Sequence, residues 1–416
     1  MRILFISGST ANAGSPMALF NMACGLKERG HEIAVVFPGH KGPILKRFED
    51  AGFKLYCDEK YGLSINPSVL NIFRRGKKIK ALTNNAHLKG YVHYVISDFN
   101  PDIVHTNIGP LNIAFNICQE LGIPHVWHLR EYQDLDMGIE FYPSKEKFIE
   151  KIHSAGNHSI AISQGIFDHW SLGINDRIIY DGIYTKKNIP EFYSGEKDNV
   201  FLFVGRLTRA KGFGMMLTTF KKFLKTHPGY QLQVVGKGCG IYGCWWKLWS
   251  RLSLPSGSIK YFGAIHSVDI FNLMKKAKAT VIPSKFEAFC FVGAEAMLNG
   301  CVVIGKNTAG MKEQLDNGLR ISGREIGIRF STKQELLDRL DMVADGKDDF
   351  TQMKAAARQV VLDSYSIEKN AEQVEALYNE IIENDIKLQS KKERLPDGRR
   401  SFLYYHNYLM SISSNV

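Results

Sequence analysis

Length, composition and charge already restrict what this chain can be. Its 416 residues exceed one ordinary hydrophobic core, so two domains are expected, and 44% hydrophobic with 23% charged residues is typical of a globular protein. The formal net charge of +11 suits anionic partners such as phosphorylated substrates, acidic lipid or nucleic acid. Because no zinc finger, basic zipper or RNA-recognition pattern accompanies this charge, a nucleic-acid partner is not expected.

The first residues are predicted to form a strand rather than a targeting segment, because the apolar run after Met1 is short and lacks a cleavage site. Seven scattered cysteines, an odd number, favour a reducing compartment. Cys239 and Cys244 have no second pair that would complete a zinc site. A cytoplasmic protein without a structural metal is the resulting expectation.

The first half of the chain alternates short β-branched runs with helical patterns, which predicts stacked βαβ units around a parallel sheet. Ser15 and Pro16 suit the N-cap and the first position of the first helix. Further helices are predicted at 110–121 and 145–155. The predicted strands are residues 3–7, 32–37, 54–57, 103–106, 125–129, 159–162 and 178–180.

A second alternating series follows residues 181–197, a segment rich in glycine, charge and tyrosine that is predicted to be a linker. We therefore predict an α/β chain with two doubly wound parallel sheets, each with its ligand cleft at the carboxyl ends of its strands. A last helical pattern follows Ser366, a candidate N-cap. The predicted strands of the second series are residues 200–204, 231–235, 258–262, 279–282, 302–304 and 327–330.

A loop of small residues, Gly8 to Gly14, joins the first predicted strand to its helix. Backbone N–H groups at such a helix start can bind phosphate. The loop is not a GxGxxG sequence, and the second strand does not end in the acid that would hold a ribose. Both observations disfavour a dinucleotide-binding oxidoreductase.

Glu287 and Glu295 are two carboxylates inside an otherwise apolar segment between predicted strands. Charged side chains are rarely buried without a partner, so this pair needs an explanation. Either both face solvent from a helix start, or they line a ligand cleft at the end of the sheet.

Arg206 and Lys211 follow the predicted strand 200–204, and each stands beside a glycine. Arginine offers a planar fork of donors and lysine a mobile point charge, so the two could bind a dianionic group. Two surface cations in a turn fit the same spacing equally well.

Together, Gly205-Arg206, Lys211-Gly212 and the Glu287/Glu295 pair resemble the nucleotide-sugar domain of GT-B glycosyltransferases of the family 4, or glycosyl transferases group 1, type. That family carries a G-R…K-G pair followed by E-x7-E. The resemblance covers roughly residues 1–384 as an ordered series of segments. The further segments are residues 101–107, 161–163, 179–183, 309–313 and 365–378.

The resemblance implies a GT-B fold, in which two Rossmann-like domains face each other across a cleft. Residues 1–184 would form the acceptor-side domain and residues 185–365 the nucleotide-sugar domain. Residues 366–416 would supply a helix that returns to the first domain, followed by a basic, aromatic tail.

The same resemblance implies how the leaving diphosphate is stabilised without a metal ion. Arg206 and Lys211 would do this, aided by backbone amides at Phe291 and Val292 and by Gly14 across the cleft. The Asp-x-Asp sequence at 134–136 is a magnesium-binding spacing in another glycosyltransferase architecture. Because it lies in the wrong half of the chain, we expect a solvated loop there.

Further roles implied by the resemblance concern the sugar and the ribose. Glu295 would accept hydrogen bonds from the ribose hydroxyls, and Glu287 would face the transferred sugar. Glu313 would contact the sugar or the diphosphate. His128 is the candidate catalytic residue of the first domain, although a histidine at a strand end is often satisfied by the backbone. Residues considered beside His128 are Glu131 or Arg130 in support, and His105 and Asn107 as alternates.

Several positions depart from the family pattern. Ala288 and Cys290 stand where the family has glycines, Val302 where proline is common and Asp181 where asparagine is frequent. The N-terminal loop has Ser15 after Gly14 rather than two glycines. The charged groups are unaffected, but the shape of the sugar pocket, and with it the donor, is left open.

Two segments, 71–82 and 242–251, mix cations with aromatic residues, a composition suited to contact with anionic lipid. An ordinary solvated helix explains the first equally well. Core packing of Trp245 and Trp249, which are spaced i, i+4, explains the second.

The resemblance thus predicts a cytoplasmic, retaining glycosyltransferase that needs no cofactor beyond its nucleotide-diphosphate sugar, with UDP favoured. The acceptor would be a saccharide or a lipid-linked molecule of surface polysaccharide or glycolipid synthesis, with peripheral contact to an anionic membrane as an option. The alternatives are a GT-B epimerase or phosphorylase, and a non-catalytic carbohydrate- or nucleic-acid-binding protein.

Overall fold

The computed structural model describes residues 1–58, 86–109, 111, 113–138, 141, 144–238 and 240–393. The segment 71–82, Cys239 and the tail beyond residue 393 lie outside the described residues, so the predictions made for them stay predictions. None of the helices in the described ranges combines the length and apolar character needed to cross a bilayer.

The first domain is built on a parallel sheet whose described strands run in the order β3-β2-β1-β4-β5-β6-β7. Ile3 of β1 pairs with Ile33 on one side and with Ile103 on the other, and β1 is buried on both faces. The strand order reverses between β1 and β4, which opens a crevice beyond their carboxyl ends. The strands are β1 (Arg2–Ile6), β2 (Glu32–Phe37), β3 (Lys54–Cys57), β4 (Ile103–Thr106), β5 (His125–Leu129), β6 (Asn157–Ala161) and β7 (Arg177–Ile178).

Helices of the first domain connect these strands and cover the sheet. Most are short and contribute apolar residues to the core, as Ile44 of α2 and Phe148 of α6 do. The described helices are α1 (Gly14–Glu28), α2 (Pro43–Asp50), α3 (Ala86–Phe99), α4 (Ile113–Leu121), α5 (Asp134–Met137), α6 (Lys145–Ile152) and α7 (Gln164–His169).

The second domain repeats this plan with a sheet whose described strands run β10-β9-β8-β11-β12-β13, again parallel. Here the order reverses between β8 and β11. The strands are β8 (Asp198–Val204), β9 (Gln231–Val235), β10 (Ile259–Gly263), β11 (Ala277–Ile282), β12 (Val302–Lys306) and β13 (Ile328–Phe330). The helices are α8 (Phe213–Phe223), α9 (Gly240–Ser253), α10 (Ser267–Lys276), α11 (Phe291–Leu298), α12 (Ala309–Ser322), α13 (Lys333–Asp345) and α14 (Thr351–Ser364).

The last helix, α15 (Ile367–Glu393), returns to the first domain and packs on α1. The contact is close, because a Cβ atom placed on Gly25 would lie 2.8 Å from the Cβ of Ala371. Ser366 Oγ accepts the N–H of Lys369 at 3.1 Å, so the predicted N-cap is confirmed.

The predicted strands are all present, with ends that differ by up to two residues. The predicted cap at Ser15 is wrong: α1 already begins at Gly14, and Ala13 occupies the N-cap position without a side-chain bond. Helix α6 ends at Ile152, earlier than predicted.

A buried ion pair joins the end of β5 to the segment that leaves β7. The guanidinium of Arg130 donates to Asp181 Oδ1, and its Nε donates to Asn107 Oδ1 at 2.8 Å. Both side chains are almost fully buried. The ion pair explains why an aspartate stands at position 181, where asparagine is frequent in the family that the sequence resembles, since the carboxylate is the counter-ion of a buried arginine.

We expect Asp181→Ala to lower the free energy of unfolding by about 3–5 kcal/mol, because it leaves the Arg130 charge buried without its partner. Asp50→Ala removes the exposed ion pair with Lys46 and should cost less than about 1 kcal/mol. Denaturant unfolding of both variants checks this. Equal losses for the two would contradict the account.

Candidate active site

The site lies where the strand order of the second sheet reverses. The loop after β8 carries Arg206 and Lys211, and the loop after β11 carries Glu287. Because β8 and β11 are neighbours, their carboxyl ends open at the same point of the sheet. Ligands of doubly wound sheets bind in this crevice.

Gly212 locks the two loops together. Its φ is +69°, and a Cβ atom there would lie 2.0 Å from the carbonyl oxygen of Pro283, so the close approach requires glycine. Lys285 N–H donates to Ala210 O at 2.7 Å and ties the loops a second time. The geometry of this contact fixes the position of Lys211.

Lys211 and Glu287, which are 76 positions apart in the chain, form an ion pair with 2.7 Å between Nζ and Oε1. Both side chains are largely shielded from solvent. The backbone carbonyl of Glu287 accepts the N–H of Gly310 at 2.7 Å, so α12 is joined to the same loop. Arg206 is exposed and lies on the same loop as Lys211.

The loop that carries Glu287 leads directly into the N-terminus of helix α11. Cys290 at its N-cap position offers no side-chain bond, and the amides of Phe291 and Val292 have no hydrogen-bond partner among the described residues. Free N–H groups at a helix start attract anions. The amides that were predicted to bind the diphosphate, those of Phe291 and Val292, therefore lie at a helix start that follows Glu287 of the ion pair by a few residues.

One of the two departures from glycine in this region keeps a glycine-like backbone. Cys290 has φ +64°, whereas Ala288 is not among the residues with positive φ. L-residues adopt such angles at a cost of about 1–2 kcal/mol. The loop thus retains the path that glycine would allow.

Glu295 lies one turn into α11 and is half-buried. Burial raises the pKa of its carboxyl group to about 7. The side chain of Glu295 forms no hydrogen bond with the described residues, so the carboxylate can still accept hydrogen bonds from a ligand.

Two acids of the first domain approach the cations of the second. Burial raises the pKa of Glu131 to about 7, with the Asp136 charge adding to the shift and the Arg206 charge opposing it. Burial also raises the pKa of Asp136, against hydrogen bonds from the backbone and the nearby charge of Lys211. The pKa of each of these two acids is thus lowered in part by the charge of a cation of the second domain.

The Asp-x-Asp sequence is therefore not the solvated loop that we predicted. It begins helix α5, where Asp134 pairs with Lys145 at 2.9 Å and with His169 at 2.8 Å. Asp136 is directed toward its own backbone and accepts the N–H of Tyr132 at 3.2 Å. The Asp-x-Asp pattern alone could not reveal that Lys145 and His169, which lie 11 and 35 positions later in the chain, would pair with Asp134.

His128 is fully buried on β5 within a polar network. Its Nδ1 lies 3.2 Å from Arg130 Nη2 and 3.2 Å from His105 Nε2, and His105 Nδ1 lies 2.6 Å from the hydroxyl of Tyr378. Burial, followed by the charge of Arg130, lowers the pKa of His128 well below its usual range. The imidazole is therefore neutral.

The contacts of His128 also fix which nitrogen carries its proton. A guanidinium can only donate, so Nδ1 accepts and the ring proton is on Nε2. That Nε2 is buried and has no hydrogen-bond partner among the described residues. This N–H group therefore has no acceptor among the described residues, although it lies at the carboxyl end of a strand. The catalytic role of His128 stays a prediction.

Glu313 bridges the two domains. Its Oε1 accepts the N–H of Gln164 and the hydroxyl of Tyr180, each at 2.8 Å, and its Oε2 accepts the N–H of Gly165 at 3.3 Å. A carboxylate at the start of α7 is favourable. Both carboxylate oxygens already accept hydrogen bonds, so contact between Glu313 and the nucleotide-sugar donor would require these bonds to be exchanged.

Gly14, which was predicted to contact the diphosphate, is the exposed first residue of α1, and a Cβ atom placed there would meet nothing within 4 Å.

Residues 185–360 match the family model of glycosyl transferases group 1. The second domain belongs to that family. The glycogen synthase of Mycobacterium tuberculosis is 29% identical over 117 residues, 28% of this chain and 28% of that protein. The D-inositol 3-phosphate glycosyltransferase of Corynebacterium jeikeium is 30% identical over 140 residues, 32% and 33% of the two chains. The alignments thus span a third or less of these relatives.

A solved structure extends the likeness to both domains. Anabaena Alr3699/HepE, in complex with UDP and glucose, has a TM-score of 0.70 and 17% identity, over 91% of this chain and 100% of that one. The fold is therefore GT-B, with the group 1 domain as its second half. The predicted family and fold are confirmed.

The raised pKa of Glu295 has a consequence for stability. The folded state holds a proton that the unfolded chain loses, so the free energy of unfolding falls as the pH rises from about 4.5 to about 7. We expect Glu295→Gln to be about 1–2 kcal/mol more stable than the parent at about pH 8, and equal to it below about pH 4. Denaturant unfolding at both pH values measures this.

Glu191→Gln is the matched control, because Glu191 is exposed. It should change stability little at either pH. If the stability difference between Glu295→Gln and the parent were the same at both pH values, the carboxyl group of Glu295 in the parent would have an ordinary pKa.

Proposed function

We propose that this protein transfers a sugar from a nucleotide-diphosphate sugar, with UDP as the nucleotide, to a saccharide or lipid-linked acceptor. The reaction would retain anomeric configuration and use no metal ion, as the family resemblance implies. The observation that carries the proposal is the Lys211–Glu287 ion pair, held at the switch point of a group 1 domain. Cytoplasmic synthesis of surface polysaccharide or glycolipid is the setting that we propose.

Support for the donor comes from charge and from the comparisons. Lys211 and Arg206 are two cations on one loop, beside the free amides that begin α11. A diphosphate carries the charge and the acceptor oxygens that such a site stabilises. Alr3699/HepE, which shares the fold, is recorded with UDP and glucose.

In the proposed reaction, the bond from the anomeric carbon to the phosphate oxygen breaks through an oxocarbenium-like state. The acceptor oxygen forms the new bond on the same face, and its proton passes to the leaving phosphate. Negative charge grows on the diphosphate during this step. Preorganised cations and amides stabilise it there more than in the bound substrate, which is what lowers the barrier.

Lys211 would change partner when the donor binds. In the described structure its charge is balanced by Glu287 at 2.7 Å. A diphosphate would take over that role, and Glu287 would then turn to the hydroxyls of the sugar. Glu295, one turn into α11, would accept hydrogen bonds from the ribose.

The neutral His128 would contribute its Nε2–H as a donor to a sugar hydroxyl. Its support is the absence of any partner for that buried nitrogen among the described residues. The Asp-x-Asp sequence is a poor metal site by chemistry, because Asp134 is already bound by Lys145 and His169. Side-chain cations rather than a bound ion therefore balance the leaving group in this proposal.

Incubation with UDP-, GDP- and dTDP-sugars should give slow hydrolysis and thermal stabilisation with one nucleotide class, UDP by the proposal. Phosphate-dependent release of sugar 1-phosphate would instead identify a phosphorylase, and isomerisation of the donor sugar an epimerase. No response to any of the three nucleotides would contradict the donor assignment.

We expect Lys211→Ala and Arg206→Ala each to lower turnover of the responding donor by about 10²–10³-fold, because each removes a charge that stabilises the leaving diphosphate. Lys222→Ala removes an exposed lysine of the adjacent α8 and should leave turnover within about twofold. Steady-state donor hydrolysis measures all three. Near-normal rates for Lys211→Ala would remove its proposed role.

A further inference from the structure

Helix α9 of the second domain has one face packed and one face bare. Tyr242, Trp246 and Trp249 are on its inner side, where Trp246 and Trp249 join the core with ring centroids 5.2 Å apart. Tyr242 hydroxyl accepts the N–H of Gly214 at 3.3 Å. The predicted pair of Trp245 and Trp249 is thus divided, because Trp249 packs inward and Trp245 does not.

The bare face carries large apolar side chains at regular helical spacing. Ile241 is 91% exposed, Trp245 59%, Leu248 52% and Leu252 78%. Their spacing of i, i+4, i+7 and i+11 places them in one line along the helix. We call these four residues the α9 stripe. A contiguous exposed apolar surface of this kind marks an interaction site.

The charge around the α9 stripe indicates what covers it. Between residues 199 and 268 the sequence contains ten Lys or Arg residues and not one Asp or Glu. Arg251, exposed, lies on α9 itself, and Lys221 is placed 5.4 Å from the Trp249 ring. An apolar helical face rich in Trp, Leu and Ile, in a stretch of chain that contains cations and no acid, is the kind of surface that binds anionic lipid.

The α9 stripe begins close to the candidate active site. Helix α9 starts two residues after Gly238, which pairs with Leu207 in the loop of Arg206 and Lys211. A bilayer lying on the stripe would therefore run past the second domain near the donor loop.

We propose that the α9 stripe is a membrane-binding surface that lies in the headgroup region of anionic lipid, with Trp245 and Leu252 inserted. Helix α9 has 14 residues and lies on the bilayer rather than across it. The inference concerns lipid binding alone and does not depend on the proposed sugar transfer. It needs neither nucleotide nor acceptor.

Flotation of the full chain tests this, with vesicles of phosphatidylcholine alone and of phosphatidylcholine mixed with phosphatidylglycerol. We expect binding to the mixed vesicles that weakens as salt is raised, since the charge contribution is screened. Trp245→Ser combined with Leu252→Ser should lower the partition coefficient by about 10- to 100-fold. Both side chains are exposed, so the double variant should unfold at the parent temperature.

Ile174→Ser is the matched control, because Ile174 is 93% exposed in the first domain, away from α9. It should leave binding unchanged. Tryptophan fluorescence gives a direct measurement, because Trp245 is the most exposed of the five tryptophans. Mixed vesicles with brominated acyl chains should quench the tryptophan emission of the parent, and should quench that of Trp245→Phe less.

Several results would overturn the proposal. They are absence of flotation with the anionic vesicles, equal binding without phosphatidylglycerol, unchanged binding of the double variant, and an equal loss in Ile174→Ser. A dimer in solution that the double variant abolishes, without flotation of the parent, would assign the stripe to a second copy. Capture by an acidic protein without lipid binding would likewise refute it.

Discussion

The contact of Gly212 with the carbonyl of Pro283 is the constraint on which the candidate site depends. It brings the loop after β8 against the loop after β11, so closely that a Cβ atom on Gly212 would lie 2.0 Å from the carbonyl oxygen of Pro283. From this contact Lys211 reaches Glu287, and α12 is joined to the same loop through Gly310. The two sequence motifs, G-R…K-G and E-x7-E, are therefore one structural unit.

The ion pair in that unit explains how a strongly cationic site can exist before its ligand arrives. A partly buried lysine without a counter-ion is costly, and Glu287 supplies the missing charge. A diphosphate can replace that carboxylate, since both offer anionic oxygens. In our proposal, the same exchange would release Glu287 toward the sugar and so connect donor binding with the position of the sugar.

The first domain contributes a buried polar network that contains an ion pair. Tyr378 of α15, His105, His128 and Arg130 form a connected series that ends at Asp181. The final helix is thus tied to the strand ends that face the second domain. Glu313 makes a separate bridge between domains at the start of α7.

Strand positions and the two-domain architecture followed from periodicity, because this pattern can be read locally along the chain. The grouping of Lys211 with Glu287 was implied by the family resemblance. The cap at Ser15 failed because Gly14 already enters the helix, a one-residue difference that spacing does not resolve. The environment of Asp134 was predicted wrongly, and the bridge made by Glu313 was not predicted at all, for another reason. Their partners, Lys145, His169 and Gln164, are brought to them only by the tertiary fold.

The most direct test of the central claim is an equilibrium binding series of uridine, UMP and UDP to the parent and to Lys211→Met. The account predicts that the parent binds UDP at least about tenfold more tightly than uridine, because the diphosphate contacts Lys211 and the start of α11. In Lys211→Met most of that preference should disappear while uridine affinity stays the same. An undiminished preference for UDP in the variant would contradict the account.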